Sequence, residues 1–277
     1  MNIFDAYTVP KICNAILHSY QKLWPRDLIH IYLSSPLDYH AQTMNWDCGY
    51  RNIQTLISSY LNTDSRTKDQ LFSLNINTVP TLRTLQSKIE NGWKGGFDKV
   101  GGMQLDYFLI NTSKWIGATE VVAMLRFFKI RACIGDFDFT TNLCDLNTMF
   151  LIISEYFQNR SNINSLDAHQ PINKKRLMGP LYFQHQGHSR LIIGVEKWVN
   201  GDIRLIILDP QVRRFSYSCF NYGDDIHMLK QGVGSYEVNS KSKYQIDYLS
   251  KKNLYNHKKE YVKIIVDELR HPKLRAI

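Results

Sequence analysis

The sequence pairs none of its cysteines. The five, at positions 13, 48, 133, 144 and 219, form no C-x-x-C, and an odd, dispersed set excludes both a disulfide framework and a structural zinc site. That usage points to a reducing compartment. No run approaches the ~18–20 apolar residues of a membrane span, and the opening "MNIFDAYTVPKIC" lacks the apolar core of a signal peptide. The expected location is therefore cytoplasmic and/or nuclear, with no membrane partner. Internal repeats and low-complexity linkers are also missing. A glycine-rich stretch, "NGWKGGFDKVGG" (91–102), lacks the G-x-x-x-x-G-K-[ST] order of a phosphate cradle and reads as a shaped loop. No metal or organic cofactor is implied. The basic residues outnumber the acidic to give +9, but they are scattered through "NKKR", "KSK", "KKN" and "HKKE" without RNA-binding aromatics. Nucleic acid is disfavoured as a partner.

What the chain does have is enough apolar material, 44% of 277 residues, to bury a full core, and its length suits one domain spanning 1–277. "KICNAILHSYQKLW" (11–24) reads as a helix, followed by a mobile-looking stretch holding Pro25 and Pro36. In "MNWDCGYRNIQTLISSYL" (44–61), Ile53, Leu56, Ile57, Tyr60 and Leu61 keep i, i+3, i+4, i+7, i+8 spacing, predicting a helix with one buried stripe, capped by Asp47 or Asn45. "VPTLRTLQSKIE" (79–90), with Pro80 in its first turn, and "GATEVVAMLRFFK" (117–129) predict two more helices, the second running into a strand over 130–137. The polar segment 138–179 has no clear pattern. "SRLIIGVEKW" (189–198) and "DIRLIILDP" (202–210) flank Asn200-Gly201 and predict a hairpin whose continuous apolarity needs cover on both faces. Further strands are expected from 244–249 and 260–269. Helices before and sheet after make the class α+β.

Cys48 stands where that second helix begins. Unpaired first-turn amides and the macrodipole favour its thiolate, but the dipole contributes only about 0.3–1 kcal/mol, less than one pKa unit. A nucleophile at neutral pH needs an imidazolium neighbour as well. Among nine histidines, His185 and His188 in "FQHQGHSR" lie at the entrance to the hairpin, and Asp209 stands at the far end of the return strand, able to orient a ring. A helix cysteine with histidine and acid on adjacent strands is the arrangement of papain-like proteases. The register opposes it: a two-residue turn at 200–201 sets Asp209 against Ile192, about 13 Å along the strand from His188. A bulge at Gly187 or Gly194, a looser turn, or a chain that folds back before Ser189 would each remove the conflict.

"NWDCGYRNIQTLISSYL", "WKGGFDKVGGMQL", "WIGATEVVAML" and "PLYFQHQGHSRLIIGVEKWVNGDIRLIILDP" together resemble, in that order, the catalytic domain of ZUFSP-type deubiquitinases, a papain-like cysteine-protease family that also includes the ubiquitin-fold-modifier proteases. The resemblance covers about residues 30–250 as the protease core, leaving 1–30 as an N-terminal helical extension. It implies N-terminal helices, the nucleophile helix among them, packed on a central, mainly antiparallel sheet. It further implies Cys48 as nucleophile, His188 as general base and acid, and Asp209 as the orienting residue. Gln184 matches the oxyanion donor, with Gln42 a rival by papain analogy, and His185 is left a structural role. Asp98 and Glu120 match two acids that grip the basic tail of ubiquitin, whose Leu-Arg-Gly-Gly end needs carboxylates for its arginine.

Three departures qualify the expectation. Asp47 replaces the glycine usual before the cysteine, and an anion there raises a thiol's pKa unless the carboxylate is otherwise engaged. "LDPQ" lacks the histidine that modifier-directed proteases carry after the proline, which leaves the base at His188 and favours ubiquitin. Zinc fingers and ubiquitin-binding helices of larger relatives have no counterpart before Lys11, so their linkage preference does not carry over. The expected activity is hydrolysis of the isopeptide bond after the ubiquitin C-terminal glycine through a Cys-His-Asp triad and a thioester, by a monomer acting on ubiquitin or polyubiquitin. The alternatives are a protease for another ubiquitin-like modifier and a catalytically weak ubiquitin-binding protein.

Overall fold

The computed structural model describes residues 8–9, 13, 26–63, 66–138, 143–158, 178–185, 187–211, 247–250, 261–266 and 274–275. Its strands are β1 (Thr8–Val9), β2 (Leu28–Leu33), β3 (Tyr39–His40), β4 (Cys133–Asp138), β5 (Leu181–His185), β6 (His188–Trp198), β7 (Ile203–Leu208), β8 (Asp247–Ser250), β9 (Tyr261–Val266) and β10 (Leu274–Arg275). The helices are α1 (Cys48–Leu61), α2 (Arg66–Ser73), α3 (Leu82–Lys94), α4 (Lys99–Gln104), α5 (Ala118–Phe127) and α6 (Leu143–Gln158). An eight-stranded sheet runs β10-β4-β9-β5-β6-β7-β8, with β2 added beside the second half of β6. Every pairing in it is antiparallel. The class is α+β, as the sequence reads.

Helices cover both sheet faces, which is why β6 and β7 are apolar throughout. Tyr182, Leu191, Ile193, Ile206 and Leu208 pack with residues of α1, α3 and α5. Leu181, Phe183, Ile192, Val195, Leu205 and Ile207 pack with Met149, Phe150, Ile153 and Phe157 of α6. Ile192 and Val195 share a face although they stand three positions apart, the mark of an inserted residue between. That residue belongs to a bulge between Ile192 and Gly194, and a Cβ on Gly194 would lie 2.4 Å from the Tyr32 carbonyl of β2.

The hairpin turn is looser than Asn200-Gly201 suggests. The Asp202 carbonyl accepts from Trp198 N–H at 3.0 Å, the Trp198 carbonyl accepts from Gly201 N–H at 2.9 Å, and Gly201 takes φ +82°, a three-residue loop closed by a left-handed residue. Lys197 then pairs with Ile203, and after the bulge Leu191 pairs with Leu208. One further step sets Asp209 across from Arg190, two residues from His188 rather than four. The turn and the bulge each shift the register by one residue.

Other expectations change. The stretch around Pro25 and Pro36 contains β2, whose alternating "LIHIYL" pairs with β6, and β3. Helix α1 is buried from Cys48 to Tyr60 rather than along one stripe, because its polar side is taken up by the chain preceding it: Ser58 bonds Asp38 and Thr55 bonds the His40 amide. Pro80 precedes α3, whose cap is Thr81, with Oγ1 accepting from Thr84 N–H. Only 95–98 of the glycine-rich stretch is loop, since α3 reaches Lys94 and α4 starts at Lys99. Segment 138–179 hides α6, whose apolar side closes the second face of the sheet. Most of the expected helix 11–24 and residues 244–246 lie outside the described residues.

Candidate active site

Cys48 is the first residue of α1 and is 6% exposed. Burial pushes its thiol up, but hydrogen bonding to His188 and Ser189 and the charge on the His188 ring outweigh that and leave it below the usual thiol value. His188 opens β6, 18% exposed, with Nε2 2.8 Å from Asp209 Oδ1. A carboxylate oxygen only accepts, so Nε2 carries a proton, and Nδ1 is the ring nitrogen left for the sulfur. Burial pulls the ring's pKa down; the hydrogen bonds to Asp209 and Cys48 and the Asp209 charge push it up to about 9, against the opposing Arg190 charge. Asp209, just past β7, resists its own burial through the His188 bond and the Arg190 and His188 charges, which hold it below the usual carboxylate range. The three residues thus meet, as a thiol of lowered pKa beside an imidazole of raised pKa.

Three partners of Asp209 escaped the sequence reading. Arg190 Nε donates to Oδ2 at 2.7 Å, the Gln211 amide donates to Oδ1 at 2.9 Å, and Tyr39 Oη donates to the Asp209 carbonyl at 2.9 Å. Strand parity could have suggested Arg190, two residues from His188 on the same face. Tyr39 carried no sequence signal.

Asp47 does not cap α1. It sits in the cap position without a capping bond from its side chain, is fully buried, and accepts from Thr43, Met44 and Arg51. The expectation of a capping carboxylate is therefore corrected: the carboxylate folds back toward the preceding turn.

The two glutamines are both engaged. Gln184 pairs with Ser189 across β5 and β6, and its Oε1 accepts from the Ala118 amide at 2.8 Å. This fixes the plane of its amide against Gly117, where an added Cβ would lie 2.8 Å from Oε1 and 3.2 Å from Nε2. Gln42 donates from Nε2 to the Met44 carbonyl, and its own amide reaches Pro210 O at 2.6 Å. The side chain of His185 lies outside the described residues.

Asp98 and Glu120 are brought together over Gly101. A Cβ there would lie 2.1 Å from Asp98 Oδ2 and 2.7 Å from Glu120 Oε1. Asp98 holds a left-handed backbone, φ +47°, at the start of α4, and Oδ1 accepts from the Gly101 amide; Oδ2 is buried without a partner among the described residues. Glu120 accepts from the Gly117 amide at 2.6 Å at the start of α5. Burial raises its pKa, and the Asp98 charge adds to this against the backbone hydrogen bonds. The Asp98 charge thus favours the protonated form of Glu120 until a cation joins the two.

Comparison with known proteins agrees with this architecture. The model of Peptidase family C78 matches residues 28–256. Human Zinc finger-containing ubiquitin peptidase 1 is 36% identical over 198 residues, 70% of this chain and 32% of the relative. The Schizosaccharomyces pombe protein Ubiquitin carboxyl-terminal hydrolase mug105 is 32% identical over 165 residues, 60% of this chain and 59% of the relative. The crystal structure of UfSP from C. elegans superposes with a TM-score of 0.50 at 15% identity, over 92% of this chain and 37% of that one, a likeness of fold. The matched region spans about a third of the length of the human relative. A buried helix-terminal cysteine, the papain-like helix-on-sheet layout and a family match over most of the chain lead to one conclusion: this protein belongs to the cysteine peptidases of family C78.

Proposed function

We propose that the chain is a deubiquitinase that hydrolyses the isopeptide bond after the ubiquitin C-terminal glycine. Cys48 attacks the glycine carbonyl as a thiolate, and the Cys48 amide and the Gln184 NH₂ receive the oxyanion. His188, oriented by Asp209, gives its proton to the departing lysine amine and then takes one from the water that releases the thioester. The observation that carries the reading is the 2.8 Å His188–Asp209 contact beside a buried thiol of lowered pKa.

For the substrate, support comes from Asp98 and Glu120 converging on Gly101. A buried Glu120 beside a half-buried Asp98, whose Oδ2 is buried with no partner among the described residues, suits an arginine side chain in bidentate contact. The names of the human and fission yeast relatives speak for ubiquitin too. A catalytically silent reader is the weaker reading, because Asp47 is occupied by Arg51 and Thr43. Reaction with a panel of propargyl-terminated modifiers tests the proposal: ubiquitin should label Cys48, and labelling only by a different modifier overturns the ubiquitin assignment. The chain acts as one domain in this reading, in the cytoplasm or nucleus.

A further inference from the structure

Asp47 immediately precedes Cys48, and its carboxylate is wholly buried. An uncompensated anion at that point would oppose ionisation of the sulfur next to it. Four donors meet it instead: Thr43 N–H at 3.3 Å, Thr43 Oγ1–H at 2.9 Å, Met44 N–H at 3.0 Å and Arg51 Nε–H at 3.0 Å. Only Arg51 brings a charge. Its remaining nitrogens are also placed, Nη1 on Gln54 Oε1 and Nη2 on Thr43 Oγ1, both at 2.9 Å. Gln54 in turn reaches the Pro80 carbonyl at 2.8 Å. Thr43 Oγ1 therefore accepts from Arg51 and donates to Asp47, closing a ring around the turn that leads into α1.

We propose that Arg51 is a positioning residue that serves as a built-in counter-ion to Asp47, cancelling the charge beside Cys48 and fixing the 43–47 turn that presents the Cys48 sulfur and amide. The assignment rests on Cys48 being the nucleophile. A buried ion pair gains little stability over apolar packing, and removing one member leaves a bare charge. Here the bare charge would be next to the reacting sulfur. Helical spacing makes the pairing possible, since residues i and i+4 lie on one face.

The other ionisable groups around the thiol are His188 from β6, with Asp209 and Arg190 behind it, and Tyr182 from β5. None of them touches Asp47, so the pair can be varied alone. The test is the pH dependence of Cys48 alkylation by iodoacetamide in the full-length protein, followed residue by residue with mass spectrometry. Arg51→Gln leaves Asp47 bare, and the inflection should move to higher pH, with the rate at pH 7 falling about threefold or more. Asp47→Asn leaves Arg51 bare, and the inflection should move to lower pH. The double variant Asp47→Asn/Arg51→Gln carries neither charge, and its inflection should return to within about 0.3 unit of the parent. A purely structural role predicts no such cancellation. An unmoved inflection in Arg51→Gln, or a double variant that fails to return, overturns the proposal. Should Arg51→Gln not fold, Asp47→Asn decides, and an unshifted inflection there overturns it. If Cys48→Ala keeps its turnover, the nucleophile assignment falls, whereas the alkylation inflections still report on the ion pair.

Discussion

His188 and Asp209 lie 21 positions apart in sequence, yet Nε2 and Oδ1 approach to 2.8 Å, and Arg190 takes the other carboxylate oxygen at 2.7 Å. The carboxylate is shared between the His188 ring and the Arg190 guanidinium. That sharing sets the charge state of the site and yields the first two predictions.

The pH profile of kcat/KM on a ubiquitin substrate should be bell-shaped. As pH falls through the depressed thiol value of Cys48 the sulfur gains a proton and attack is lost. As pH rises through about 9 the His188 ring loses the proton that the leaving amine needs. The alkaline limb should therefore fall near pH 9, and the two values belong to the coupled pair. An alkaline limb near 6.5, the ordinary imidazole value, would contradict the Asp209 contact.

Arg190→Met removes the cation that opposes protonation of His188. The alkaline limb should move to higher pH, and kcat should fall about tenfold because Asp209 loses the partner that holds its second oxygen. Arg190→Lys should recover part of kcat. Steady-state rates across pH 6 to 11 measure both.

Cys48→Ala and His188→Ala should each reduce turnover to background, with melting temperatures close to the parent's. Asp209→Asn should lower kcat by about 10²–10⁴-fold, since the amide orients the ring wrongly. Gln184→Ala should lower kcat by about 10²-fold with little change in KM if its amide receives the oxyanion. The same loss in Gln42→Ala alone would transfer that role.

Asp98→Ala should raise KM for ubiquitin substrates by about tenfold and leave kcat nearly unchanged. Glu120 also accepts from the Gly117 amide, so Glu120→Gln is the cleaner variant. It keeps an acceptor for α5 and removes the charge, and it should raise KM similarly. Gly101→Ala should mimic both by driving a methyl group between the two carboxylates. Unchanged KM in all three would remove the acid pair from substrate binding.

Much of the layout was legible in local patterns. The apolar spacing of 53–61 gave α1, and the two β-branched runs gave β6 and β7, because these periodicities answer to neighbours a few residues away. Local pattern places Cys48 at a helix start and His185, His188 and Asp209 at strand ends; the choice of His188, and the naming of Gln184, Asp98 and Glu120, comes from the family resemblance. Segment 138–179 shows no clear pattern because its polar ends mask α6, and "LIHIYL", within the mobile-looking stretch around Pro25 and Pro36, declares no strand locally because its partner β6 lies over 160 residues later.

Chain order by itself determined that a cysteine opens a helix, that a histidine opens a strand, and that an acid ends the next one. Only tertiary structure decided that they meet. A three-residue turn and a bulge at Gly194 each shift the pairing by one residue, and strand register is fixed by such long-range packing rather than by composition. The fate of Asp47 was settled the same way. Nothing local distinguishes a capping aspartate from a buried one; the choice fell to Arg51, Thr43 and the exclusion of water around them.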